Sequence, residues 1–171
     1  IYAAKGIYGS RFVVVNRMKD GNIFLADMEI QEPLKKIQRR EFFRHTCRIP
    51  ASYYLLGPDS PPIDTPNDLQ NIIWKKGVLL DISGGGVRMV SEFQEKVKHM
   101  LLLKFPIVNG NTQEDMIQYG RLIASYPNQN NPQIFEQRVE FERIEDRDRE
   151  KIIKFIFDEE RKKISKERGN E

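Results

Sequence analysis

Two short segments of the sequence combine residue types that bind phosphate esters and nucleobases. The first, Arg40-Glu-Phe-Phe-Arg44, places two arginines four residues apart. A guanidinium is planar and always charged, so it can bind a phosphate through two parallel hydrogen bonds or bind the O6 and N7 acceptors of guanine. Six lysines and arginines lie within residues 35–48 against one acid, although the net charge of the chain is only +3. The positive charge is therefore local to this segment.

The second segment, Asp81-Ile-Ser83-Gly-Gly-Gly86, supplies a carboxylate, a hydroxyl and bare backbone. Apolar residues 78–80 ahead of it are typical of the end of a buried strand, and the three glycines allow positive φ or the close approach of a ligand. Asp81 and Ser83 are two residues apart and thus share a face in an extended chain. Asp81 can accept from guanine N1–H and N2–H₂, donors that a phosphodiester does not have.

Each segment taken alone also has a less specific interpretation. A basic run is often a solvated linker. The second segment is also typical of a turn, in which the Asp and Ser side chains bond their own backbone while Gly85 or Gly86 takes a positive φ. Phe42 and Phe43 inside the basic run favour a segment that docks onto something. The two segments together indicate a site for a small guanine-containing phosphodiester.

In order and in spacing, the two segments match the Arg-x-x-x-Arg and Asp/Asn-x-Ser-x-x-Gly motifs of PilZ domains, with 36 residues between Arg44 and Asp81. From about Ile37 to its end, the chain resembles this family of bacterial receptors for cyclic di-GMP. The ligand-binding residues that the resemblance implies are Arg39, Arg40, Arg44, Asp81, Ser83 and Gly86.

The resemblance also implies a division of roles. Arg40 and Arg44 bind the phosphates and guanine, Asp81 and Ser83 recognise the base, and Gly86 keeps the floor of the site open. Arg39 is expected to assist the two motif arginines.

Residues just ahead of the arginine motif influence whether related proteins bind one ligand or a stacked pair. Here Ile37-Gln38 precede Arg39. Since the apolar Ile37 offers no further guanidinium, the sequence favours a single ligand.

The fold class expected is mainly β: a six-stranded antiparallel PilZ barrel with a C-terminal α-helix, preceded by part of a small N-terminal β domain. A helix is predicted from Glu145, because apolar residues recur at three- and four-residue spacing up to Ile164. The end of this stripe near Ile164 allows contact with a second copy of the chain or with a partner. The strands predicted by the alternation of apolar residues and turn signals are 48–56, 72–82, 86–91, 100–108, 115–126 and 133–144.

The domain organisation predicted is residues 1–32 as the C-terminal part of a small N-terminal β domain, 33–38 as a linker around Pro33, and 39–171 as the barrel with its helix. The first part contains a predicted hairpin, 11–18 and 22–30, turning at Asp20-Gly21. It resembles the end of the N-terminal barrel domain of flagellar-brake PilZ proteins. Since the sequence starts at Ile1 and not at a methionine, we expect residues ahead of it to have been trimmed or processed. Residues 57–70 hold four prolines and are predicted to form a long loop.

Several chemistries are excluded by the residues present. The glycine run is neither a dinucleotide fingerprint nor a Walker motif. His45, His99 and Cys47 are the only histidines and cysteine, too few for a convincing zinc site, and a His45/Cys47 nucleophile pair lacks a third orienting group. We predict a buried cysteine and a surface histidine. Accordingly we expect no catalysis, no metal and no cofactor other than the ligand itself.

The composition is that of a globular, cytoplasmic protein without membrane insertion. No apolar run approaches the roughly 20 residues that span a bilayer, and a single cysteine excludes an intrachain disulfide.

The function predicted is that of a bacterial cyclic di-GMP receptor in which ligand binding orders residues 35–44 and so fixes the angle between the N-terminal unit and the barrel. The outputs expected are flagellar motility or biofilm and exopolysaccharide production, through a protein effector such as a flagellar motor component.

The alternative function is a barrel that binds single-stranded nucleic acid, with the basic segment and Phe42-Phe43 as its groove. Such proteins spread aromatic residues over a charged face. This chain concentrates its basic residues in one stretch, so nucleic acid is not the ligand we expect.

Overall fold

The computed structural model describes residues 2–3, 6–57, 68–110 and 112–168. Contacts between residues divide the chain into two compact units, Ile1–Glu41 and Phe42–Glu171. The second unit is a closed antiparallel barrel of six strands followed by one helix. The predicted fold class, a mainly β protein with a six-stranded barrel and a C-terminal helix, is confirmed.

The barrel unit contains β6 (Arg44–Leu56), a 3₁₀ turn (Asp68–Asn71), β7 (Lys75–Ser83), β8 (Gly86–Ser91), β9 (Met100–Asn109), β10 (Thr112–Pro127), β11 (Phe135–Phe141) and α1 (Asp146–Arg168). The numbering follows on from the five strands described in the first unit. The barrel closes in the order β10-β11-β8-β7-β6-β9, and every neighbouring pair is antiparallel. Closure leaves no exposed strand edge.

The core of the barrel is built from the inward-facing residues of these strands and from one face of α1. Phe105 and Phe141 stack with their ring centroids 6.3 Å apart. Helix α1 adds Ile152, Phe155 and Ile156 to the same cluster, in agreement with the predicted apolar stripe. The outer part of that stripe does not join the core, because Ile164 lies beyond the barrel and is exposed.

The strands described in the first unit are β1 (Tyr2–Ala3), β2 (Gly6–Gly9), β3 (Phe12–Asp20), β4 (Ile23–Ile30) and β5 (Lys35–Ile37). They form a three-stranded sheet, in the order β1-β2-β5, and a separate hairpin of β3 and β4. The hairpin turn is Gly21-Asn22, one residue later than predicted, because Asp20 pairs with Ile23. Only the first of these two turn residues has a positive φ, +56° at Gly21, as a type II′ turn requires.

Several predicted boundaries need correction. Within the predicted linker 33–38, Lys35–Ile37 form β5 and pair with β2, because an extended segment can complete a sheet edge despite the nearby proline. Strand β6 begins at Arg44, four residues earlier than predicted, since its polar outer face hides the strand in the sequence. Of the predicted loop 57–70, residues 58–67 lie outside the described part of the chain. No helix among the described residues is long and apolar enough to cross a membrane.

Candidate ligand-binding site

The pairing of β6 with β7 brings the two predicted motifs together. Arg44 lies opposite Ser83, and Thr46 lies opposite Asp81. Directly opposed residues of antiparallel strands share a face of the sheet. His45 and Ile82, which form the pair between them, are buried in the barrel. Arg44, Asp81 and Ser83 therefore belong to the opposite face, although Ser83 is itself buried and only 7% exposed.

The Asp81 carboxylate is held by an arginine that the sequence analysis missed. Arg88 donates from Nε to Asp81 Oδ2 at 2.6 Å and from Nη1 to Glu136 Oε2 at 3.3 Å. The side chains of Asp81 and Glu136 are each 14% exposed and that of Arg88 is 31% exposed. The hydrogen bond to Asp81 raises the pKa of Arg88 above its already high value, so the guanidinium stays charged. The pair presents the carboxylate in a fixed orientation.

Ser83 makes the local hydrogen bonds that the turn interpretation predicts. Its hydroxyl donates to the carbonyl oxygen of Gly86 at 3.1 Å and accepts from the amide of Gly85 at 3.4 Å. These bonds fix the hydroxyl at the mouth of the β7–β8 turn. The oxygen retains a lone pair that can accept from a further donor.

The glycines of this turn lie so close to neighbouring residues that there is little room for a side chain. Neither Gly84 nor Gly85 has a positive φ, whereas Gly86 has a φ of +157°, so of the two glycines named by the turn interpretation it is Gly86 that takes the positive φ. A Cβ at Gly84 would lie 2.7 Å from the ring of Phe42, and a Cβ at Gly86 would lie 2.2 Å from the carbonyl oxygen of Val139. The packing of β8 on β11 therefore excludes a side chain at position 86 independently of any ligand.

Phe42 lies between the glycine turn and helix α1. The guanidinium of Arg149 is 5.1 Å from the centroid of the Phe42 ring, within the range of a cation–π contact. Arg149 Nη1 also donates to the carbonyl oxygen of Gly84 at 2.7 Å. Phe42 thus docks as the sequence predicted, whereas Phe43 is exposed. This stack fixes the chain two residues ahead of Arg44.

The other two predicted arginines, Arg39 and Arg40, belong to the first unit. Both are exposed. The amide of Gln38 donates to the carbonyl oxygen of Arg40 at 2.7 Å. Residues 38–41 form neither strand nor helix.

The histidine and cysteine of β6 do not form a reactive pair. His45 is 8% exposed, which corrects the predicted surface location, and its Nδ1 lies 2.6 Å from Glu160 of α1. The Cys47 thiol contacts the carbonyl oxygen of Leu79. Burial raises the pKa of Cys47 to about 11, so the thiol is protonated and a weak nucleophile at neutral pH. Among the described residues there is no cluster of three or more metal-ligating side chains.

Arg88 has a signal in the sequence and Arg149 does not. A two-residue turn at Gly84-Gly85 places Ser83 opposite Gly86 and, two pairs further, Asp81 opposite Arg88, as observed. Arg149 reaches the site only through the packing of α1, which local sequence does not specify.

A separate cavity of about 1090 Å³ opens on the barrel and is lined by residues that include Trp74, Lys75 and Phe93. None of the six predicted ligand residues lines it. The candidate site is thus separate from this cavity.

The model of the PilZ domain family matches residues 38–158. Solved structures with similar folds include the inhibitor of motility MotI/DgrA of Bacillus subtilis (14% identity, TM-score 0.69, 89% of this chain and 66% of that one). Another is YcgR of Escherichia coli in complex with c-di-GMP (14% identity, TM-score 0.58, 91% and 61%). A third is a tetrameric PilZ domain from Xanthomonas campestris (13% identity, TM-score 0.51, 72% and 91%).

The chain spans just under two thirds of the length of the first two of these proteins. At such identities the similarity shows a common fold. No curated protein sequence matches the chain significantly.

Proposed function

This chain belongs to the PilZ domain family, and we propose that it is a receptor for cyclic di-GMP and not an enzyme. The YcgR structure was solved with c-di-GMP, and MotI/DgrA is named as an inhibitor of motility. Control of motility is therefore the output we propose to test first. Biofilm or exopolysaccharide production through a protein effector is the second.

One observation carries the proposal: the strand register sets Arg44 opposite Ser83 and, two residue pairs further along, sets Thr46 opposite Asp81. A phosphodiester needs cationic donors, and guanine needs an acceptor for its N1–H and N2–H₂ groups. Arg44 supplies the first, and the ionised Asp81 supplies the second. Ser83, which lies opposite Arg44 and two residues after Asp81, adds a neutral hydroxyl.

We propose that Arg39 and Arg40 complete the binding of the same ligand. Both are exposed and lie one or two residues before the end of the first unit. Their guanidiniums can bind phosphate oxygens or the acceptor edge of guanine. The predicted division into an N-terminal β domain and a ligand-binding barrel stays part of this proposal.

The segment that we propose to be ordered by the ligand is shorter than the residues 35–44 predicted from the sequence. Residues 35–37 already form β5, Phe42 is packed on the glycine turn, and Arg44 begins β6. We propose that ligand binding orders residues 38–41, and that this restricts the connection between the two units. The same geometry of the two units with and without ligand would contradict it.

The experiment is a calorimetric titration of cyclic di-GMP into the wild type, Arg44→Ala and Arg48→Ala. Arg48 is the matched control, because it is an exposed arginine of the same strand and the same basic run. Loss of a hydrogen-bonded charged contact should cost about 2 kcal/mol, so Arg44→Ala should bind about 30-fold more weakly while Arg48→Ala binds like the wild type.

A titration also distinguishes the cyclic di-GMP receptor from the alternative function, a barrel that binds single-stranded nucleic acid. Binding of a short single-stranded RNA with a steep salt dependence, without saturable binding of cyclic di-GMP, would support the nucleic-acid barrel and contradict the receptor proposal. The number of ligands per chain follows from the same curve, and the apolar Ile37 favours one.

A further inference from the structure

We propose that Arg88 is a positioning residue that orients Asp81 and thereby sets the preference of the site for guanine over adenine. The inference rests on the proposed function and concerns how the same site selects its base. Arg88 does not belong to either motif that the sequence analysis singled out.

Arg88 restricts the movement of the Asp81 side chain. The 2.6 Å bond between Arg88 Nε and Asp81 Oδ2 joins two charged groups on neighbouring strands that lie directly opposite each other. Charge-assisted hydrogen bonds of this kind are about twice as strong as neutral ones. An aspartate without such a partner would rotate freely about its terminal torsion, which has a broad energy profile.

Arg88 is itself anchored from the other side. Its Nη1 donates to Glu136 on β11, and the hydroxyl of Tyr126 on β10 donates to the other oxygen of Glu136 at 2.6 Å. Burial, followed by the bond to Glu136, raises the pKa of Tyr126, so the phenol remains a donor. A continuous series of side chains thus runs over four strands, from Tyr126 through Glu136 and Arg88 to Asp81.

The oriented carboxylate can accept hydrogen bonds from the base of the ligand. An ionised carboxylate has about four acceptor positions, and Arg88 uses one on Oδ2. The remaining positions can accept from guanine N1–H and N2–H₂. Adenine presents an unprotonated N1 in place of the guanine N1–H and has no 2-amino group, so a fixed anionic acceptor repels it. A carboxylate that rotates could avoid this repulsion, and the discrimination between the bases would fall.

The test is a titration of cyclic di-GMP and cyclic di-AMP into the wild type, Arg88→Ala, Arg88→Lys and Arg121→Ala. Arg121 is the matched control, because it bridges Glu140 and Glu142 on the same barrel without contacting Asp81. The readout is the ratio of the affinities for cyclic di-GMP and cyclic di-AMP. If Arg88 had a purely structural role, its loss would lower both affinities by the same factor and leave the ratio unchanged.

We expect Arg88→Ala to lower the preference for the guanine ligand about tenfold, the low end of what a bidentate base contact contributes. Arg88→Lys should restore it only in part, because an ammonium cannot bridge two carboxylates in the planar geometry of arginine. Arg121→Ala should leave the ratio unchanged. Glu136→Gln, which keeps the size of the side chain and releases Arg88, should lower the ratio by a smaller factor and replaces Arg88→Ala if that variant does not fold.

Three results would overturn the inference. They are a ratio that stays at the wild-type value in Arg88→Ala, a fall of both affinities by the same factor, and a tighter binding of cyclic di-GMP, which would make Arg88 a competitor of the ligand. A wild type that binds neither dinucleotide overturns the proposed function itself, and the positioning inference with it.

Discussion

The two arginines of a single motif lie in contrasting surroundings. Arg44 begins β6 and is held in register with Ser83, and the Phe42 stack fixes the chain just ahead of it. Arg40, four residues earlier, lies in a segment, 38–41, without strand or helix. The barrel side of the proposed site is therefore held in place without a ligand, whereas we propose that the segment ahead of it is ordered by the ligand. Preorganised groups bind at a lower entropic cost, so the two halves should contribute unequally.

The largest effect is expected from breaking the preorganised half at Gly86. A Cβ there would meet the backbone carbonyl of Val139 at 2.2 Å, and β11 cannot move without disturbing the barrel. Gly86→Ala should lower the free energy of unfolding by about 3 kcal/mol, the upper part of the range for overpacking. Gly84→Ala should cost less, because it meets the movable ring of Phe42. Chemical denaturation checks both values, and equal losses would contradict the distinction between backbone and side-chain neighbours.

The second prediction compares Arg44→Ala with Arg40→Ala directly. Each removes a cationic group that we propose binds the ligand, and Arg44→Ala should cost about 2 kcal/mol of binding free energy. Arg40→Ala should cost about 1 kcal/mol, because the entropy of ordering an exposed side chain offsets part of its contact. Calorimetry measures both. A larger loss for Arg40→Ala would reverse the comparison.

The third prediction concerns the contact of Arg149 with the Phe42 ring, which lies between the segment 38–41 and the start of β6. Arg149→Ala removes the hydrogen bond to the Gly84 carbonyl and the contact with the Phe42 ring. We expect a loss of about 1 kcal/mol in stability and binding that is several-fold weaker, because the start of β6 is released. Arg147→Ala, an exposed arginine two residues earlier in α1, is the control. Thermal unfolding and calorimetric titration measure the two effects. Equal stability and equal affinity of Arg149→Ala and Arg147→Ala would contradict a role of the Phe42–Arg149 contact.

The smallest effect is expected on the reactivity of the Cys47 thiol, whose rate of alkylation measures how readily β6 opens. Burial raises its pKa from 9.0 to about 11, so the folded state disfavours the thiolate. The associated stability is fully present below about pH 9 and is lost as the pH rises towards 11. At pH 8, alkylation by iodoacetamide should be slower in the native protein than in denaturant. Equal rates would show that β6 opens readily at this position.

Much of the barrel could be predicted from the sequence, because its determinants are local. The alternation of apolar residues gave Gly86–Ser91 with both ends correct and placed the other barrel strands to within a few residues. Residues 35–37 were missed as a strand because a three-residue edge strand carries too little periodicity to detect. Likewise, the start of β6 was missed because Arg44 and Thr46 face outward and read as a polar segment.

The residue types of the candidate site could be predicted from the sequence, but the residues that pack against the site and hold it in place could not. The motif pair indicated Arg44, Asp81 and Ser83, and the structure sets them on paired strands. The packing of Val139 against Gly86 and of Arg149 against Gly84 depends on residues more than 50 positions away. Such contacts follow from barrel closure and helix docking, which no local pattern encodes.

Hydrogen–deuterium exchange with and without cyclic di-GMP tests the central contrast most directly. The account predicts that bound ligand slows exchange at residues 38–41, while the amides of β6 and β7 that already pair with each other change little. Unchanged exchange at 38–41 in a saturated complex, or protection confined to the cavity at Trp74 and Phe93, would contradict the account.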